Sequence, residues 1–194
     1  MNDLSALIEL LSMLLLDART GTLIALLVVA ALIDWRTMRI PNWLTVAGMV
    51  LGLAISTVHG ATVAKGLGQA AGGLSLGLLV LLPLYLLRVL GAGDVKLMAM
   101  VGAFLGPSST IAALIYVVVT GGIAAILVAA ARGTLGRLAM NVYFIVNVAR
   151  MSPADAASGE HSSGATQSVG TLPYGVSICL GTLAYLVTRQ LGFA

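Results

Sequence analysis

Charge is what this sequence has least of. Only 9% of its 194 residues are charged, where a soluble domain carries about 25%, so there is too little polar surface to cover a globule in water. Cysteine is almost absent. Cys179 stands alone, which excludes an intrachain disulfide and a cysteine-based metal site and leaves a small buried hydrophobe as its ordinary role. His59 and His161 are isolated in the sequence and read as solvated side chains, so neither a metal nor a cofactor is expected. Lys and Arg are scattered, with a net charge of +3 and no basic stripe, and this argues against a nucleic-acid surface. No internal repeat is visible. The start of the chain lacks the positive charge of a cleavable signal peptide, carrying Asp3 and Glu9 instead, and shows no clear small-residue cleavage site.

What is present is apolar. Hydrophobic residues make up 59% of the chain and the mean hydropathy is +1.06, so lipid must be the solvent for most of it. The 23 glycines fit, because small residues let membrane helices approach closely. The expected architecture is an all-α polytopic helix bundle, one domain over 1–194, with about six membrane-spanning helices. The spans read as about Thr20–Trp35, Asn42–Val58, Gly66–Leu87, a short one at Asp94–Leu105, Thr110–Ala131 and Thr171–Arg189. Pro41 opens the second and Pro83 should kink the third. Leu4–Leu16 is apolar but shorter than the roughly 17–25 residues a span needs, so residues 1–17 read as an interfacial or partly embedded helix. Arg132, Arg137 and Arg150 bracket a mildly amphipathic surface segment. Residues 152–170 are rich in Ser, Ala and Gly without apolar periodicity and read as a mobile aqueous loop.

Basic residues orient such a bundle. With the 35–41 connection in the cytoplasm, Arg36, Arg39, Arg88, Lys96, Arg132, Arg137 and Arg150 fall on that side, and Arg19, Lys65 and Arg189 on the other. Both termini then face outward, unless the N-terminal segment crosses.

Carboxylates inside a membrane are costly and mark function by default. Of the seven acidic residues, Asp3, Glu9 and Asp17 belong to the N-terminal segment, and Asp155 and Glu160 to the polar loop. Asp34 and Asp94 alone lie in apolar surroundings, at predicted helix ends and at similar depth. Two carboxylates that meet resist double ionisation and share one proton. The ionised member can then activate a water while the protonated one polarises a peptide carbonyl. Plainer roles stay open. Asp34 can end a span and pair with Arg36 or Arg39, and Asp94 can cap the helix it begins. The glycines of Gly91-Ala92-Gly93-Asp94 leave room for another backbone, whether that of a peptide substrate or of a neighbouring helix.

Two local patterns resemble the prepilin peptidases, the GxGD-type aspartyl proteases of bacterial membranes. One is Asp34-Trp35-Arg36 followed by Ile40-Pro41-Asn42, similar to the family's first aspartate and its proline turn. The other is Gly91-Ala92-Gly93-Asp94-Val95-Lys96-Leu97, similar to the GxGD signature with its following lysine. Leu172-Pro173-Tyr174-Gly175 before the last span resembles a further family feature. The resemblance implies Asp34 and Asp94 as a catalytic dyad, and Gly91 and Gly93 as residues of backbone geometry at the substrate-binding site. It leaves Lys96 either to contact substrate or to snorkel to the interface. Implied substrates are prepilins or pseudopilins of type IV pili, type II secretion or the tight-adherence system, cut behind a basic leader at the cytoplasmic face of the inner membrane. The compact size looks most like the tight-adherence members. Larger members carry paired CxxC motifs in a segment that accompanies N-methylation. None occurs here, so peptidase activity without methyltransfer is expected.

Two rivals belong to other classes. A small proton- or ion-coupled transporter also uses buried carboxylates and glycine-broken helices, but its site belongs at the midplane, and an inverted repeat would betray it. A non-catalytic membrane subunit is the other.

Overall fold

The computed structural model describes residues 17–87, 89–136, 139–140, 142–143 and 174–192. The expected interfacial segment, apart from Asp17, lies outside these residues, as do the 152–170 loop and most of the 132–150 surface segment. Six helices carry the fold: α1 (Ala18–Thr37), α2 (Asn42–His59), α3 (Val63–Leu86), α4 (Ala92–Leu105), α5 (Pro107–Ala131) and α6 (Tyr174–Gln190). The all-α bundle expected from the sequence is what forms.

Local chemistry sets the helix ends. Asp17 caps α1, its carboxylate accepting from the Arg19 and Thr20 amides and from the Thr20 hydroxyl at 3.0 Å. Slight burial raises the Asp17 pKa. The hydrogen bonds from Thr20 and Arg19 outweigh it and leave the group below its usual value. The helix therefore starts two residues earlier than the apolar run suggests. At its other end Met38 takes a left-handed conformation (φ 51°) and its N–H returns to the Asp34 carbonyl. Pro41 precedes α2, and the Thr62 hydroxyl caps α3 by accepting from the Lys65 amide at 3.2 Å.

The chain divides into two compact units, Met1–Gly121 with Pro173–Ala194, and Gly122–Leu172. In the second, Gly133 at φ 65° closes the end of α5, and the Thr134 N–H reaches back to the Ala129 carbonyl at 2.8 Å.

In the first unit α4 is the core. Every residue from Leu97 to Phe104 is buried, as befits a helix that is apolar on all sides. It packs against α3 and α2, and less extensively against α6 and α1. Its 14 residues reach only about 21 Å, short of a hydrocarbon layer of about 30 Å. Among the described residues four helices, α1, α2, α3 and α5, are long and apolar enough to cross a membrane. The segment Asp94–Leu105, read from sequence as a short span, lies in α4, packed among α1, α2, α3 and α6.

The helices alternate in direction, which sorts their ends. At one end Asp17 lies within reach of the His59 charge, and the Arg19 guanidinium donates to the Phe104 carbonyl near the C-terminus of α4. At the other end lie the C-terminus of α1 and the N-termini of α4 and α6, and both predicted aspartates are there.

Candidate active site

Asp34 sits in the last turn of α1 and is 4% exposed; Asp94 sits in the first turn of α4 and is 8% exposed. Each is therefore a buried carboxylate, but each has a backbone partner. Asp34 Oδ2 accepts from the Gly175 N–H at 2.8 Å, a buried bond across 141 residues of sequence. Asp94 Oδ2 accepts from the Gly91 N–H at 3.0 Å. In both cases a helix N-terminus supplies the donor, where unpaired amides and the helix dipole favour negative charge. The two aspartates are near enough for the Asp34 charge to act on Asp94.

The plainer readings can now be weighed. Asp94 does cap α4, with Oδ2 engaged and Oδ1 unbonded among the described residues. Asp34 takes its hydrogen bond from Gly175, while Arg36 and Arg39 are exposed.

The other predicted residues surround this pair. Gly91 is the N-cap of α4. Gly93 lies against Ile40, so a Cβ placed on it would meet the Ile40 Cβ at 3.1 Å; the near backbone approach is made by the α1–α2 connection. The Lys96 ammonium donates to Asn42 Oδ1 at 2.8 Å. The motif around Asp34 and the motif around Asp94 thus touch each other directly.

Two residues quoted from the sequence but not assigned to the site also belong beside it. Gly175 holds Asp34, and a Cβ there would lie 2.8 Å from Asp34 Oδ2. Tyr174, half-buried, is close enough to feel the Asp94 charge. The Leu172-Pro173-Tyr174-Gly175 pattern was the available signal, although Leu172 and Pro173 lie outside the described residues.

Chemically, the arrangement offers two buried carboxylates at one end of the bundle, each fixed through one oxygen and with no arginine or lysine as its hydrogen-bond partner among the described residues. Such a pair can share a proton. In comparisons with known proteins, the sequence model of the type IV leader peptidase family matches residues 21–126. That stretch is more than half of the chain and contains Asp34, Ile40–Asn42 and Gly91–Lys96. No curated protein matches the chain, and no solved structure does.

Proposed function

The chain belongs to the type IV leader peptidase family, and from that premise we propose that it is an aspartic endopeptidase that removes the basic leader of prepilins or pseudopilins with Asp34 and Asp94 as its dyad. That it is a multi-pass membrane protease with prepilin-type substrates follows from the family and from its four apolar helices. The dyad, the cytoplasmic face of the bacterial inner membrane and a tight-adherence substrate are the finer parts of the reading.

The observation that carries it is the convergence of two buried carboxylates from different helices at one end of the bundle. With one proton shared between them, the ionised carboxylate takes a proton from a bound water. The water oxygen bonds to the scissile carbonyl carbon while the protonated carboxyl gives its proton to the carbonyl oxygen. The resulting diol collapses: one of its hydroxyls returns a proton to the dyad as the carboxyl product forms, the C–N bond breaks, and the departing amine takes a proton from the dyad. One proton again remains on the pair. No cofactor enters these steps.

The test is cleavage of a tagged prepilin by the purified protein, with products read by mass spectrometry. Asp34→Asn and Asp94→Asn should each abolish nearly all cleavage, and the double variant should be little worse than either, since residues acting as a unit lose function non-additively. Asp→Glu at either position should also fail, because displacing a carboxylate by about 1 Å costs on the order of 100-fold. The new N-terminus should carry no methyl group. Substantial cleavage by either Asn variant removes the dyad; no cleavage by the unaltered protein returns the transporter or the non-catalytic subunit.

A further inference from the structure

We propose that Asn42 and Lys96 are positioning residues that fix Asp94 relative to Asp34, an inference that rests on the peptidase reading above. The argument follows the chain out of α1. Three residues after Asp34 the helix ends, and the left-handed Met38 turns the backbone while its N–H binds the Asp34 carbonyl at 2.8 Å. The connection then meets α4 on both sides of Asp94. Before Asp94, Ile40 rests on Gly93, where a Cβ would approach it to 3.1 Å. After Asp94, the Lys96 ammonium donates to Asn42 Oδ1 at 2.8 Å. The segment that leaves one aspartate is fastened to the turn that carries the other.

Helix stability does not account for this lysine. The N-terminal end of a helix favours anions, not cations, so Lys96, in the second turn of α4, gains nothing from the helix dipole. Its hydrogen bond goes to a neutral amide and not to a carboxylate. An ammonium paired with Asp94 would hold that group ionised and defeat proton sharing. Bound to Asn42, it joins two elements and leaves the carboxylates to each other.

Kinetics on full-length protein in detergent, normalised to folded material by thermal unfolding, test this. Asn42→Leu and Lys96→Met each lower kcat by about 10- to 100-fold, the range for misplacing a reacting group by up to about 1 Å, with KM little changed. The double variant is no worse than the poorer single, because both remove the same bond. Asn42→Asp, which keeps an acceptor for Lys96, recovers most of the loss, and it decides the matter with Lys96→Met if Asn42→Leu does not fold. A raised KM with normal kcat in Lys96→Met, together with no effect of Asn42→Leu, overturns the proposal and makes Lys96 a substrate contact. Unchanged kcat in Lys96→Met, or additive losses, also overturns it. Asp34→Asn in the same assay separates the two levels. If it is inactive while Lys96→Met is normal, the positioning role alone fails; if it cleaves, the peptidase mechanism fails first.

Discussion

At the scale of single residues, the aspartates and Gly91 were legible in the sequence, and the bond from Gly175 to Asp34 was not. A carboxylate in an apolar run is conspicuous because lipid penalises it, and that reasoning separates Asp34 and Asp94 from the other five acids. The group holding Asp34 is a backbone N–H, 141 residues away, and a backbone amide has no side chain by which a sequence could announce it. The hydrogen bond makes a sharp prediction. A methyl group at Gly175 would lie 2.8 Å from Asp34 Oδ2 and 3.1 Å from its Cβ and Cγ, so the buried carboxylate must move. Gly175→Ala should lower cleavage on the order of 100-fold and cost about 1–3 kcal/mol as overpacking. Gly121→Ala is the control, since its Cβ would meet Ser177 and Tyr174 at 3.8–3.9 Å, ordinary contact distances. Cleavage assays on the two variants, corrected for folded protein, should separate them widely; equal activities would show that Asp34 does not depend on the Gly175 contact.

At the scale of elements, the hydrophobic runs identified the helices but could not say which faced lipid. α4 is apolar from Leu97 to Leu105, and such a run reads equally as a span or as a core helix. The close fit of α3 on α4 shows how the centre is filled. A Cβ on Gly73 would lie 2.1 Å from the Gly102 carbonyl oxygen, and one on Gly102 would lie 2.1 Å from the Gly73 oxygen. Backbone stands on both sides, so neither helix can yield without moving bodily, and the position of Asp94 at the head of α4 moves with it. Gly73→Ala and Gly102→Ala should therefore each destabilise the fold, by about 1–3 kcal/mol, with less than additive loss in the double variant because one separation accommodates both. Gly68, also in α3, has nothing within 4 Å of its would-be Cβ. Gly68→Ala should stabilise, by about 0.5–1 kcal/mol, through helix propensity alone. Thermal unfolding in detergent reads both signs; a stabilising Gly73→Ala would contradict the packing described for this pair.

At the scale of the whole molecule, the sequence carried more than its composition alone, because basic residues sort by membrane face. The Arg19 hydrogen bond to Phe104 at one end of the first unit, and the Asp34–Gly175 and Asn42–Lys96 hydrogen bonds at the other, agree with that sorting for the α1, α2, α4 and α6 ends. Geometry says which residues share an end; it is charge that says which end meets the cytoplasm. Among the described residues of the first unit, Arg36, Arg39 and Lys96 lie at the aspartate end and Arg19, Lys65 and Arg189 at the opposite one, three against three, so the proposed cytoplasmic orientation of the aspartates rests on the sequence count that adds Arg88, Arg132, Arg137 and Arg150. The orientation can be tested on two exposed sites, Thr37 after Asp34 and Ala61 between α2 and α3, in a Cys179→Ala background that removes the single native thiol, itself buried. A membrane-impermeant thiol reagent added to intact cells should label Ala61→Cys and spare Thr37→Cys until the membrane is broken. The reverse pattern would place both aspartates outside, where a cytoplasmic leader cannot reach them, and the peptidase would have to act on a segment already carried across.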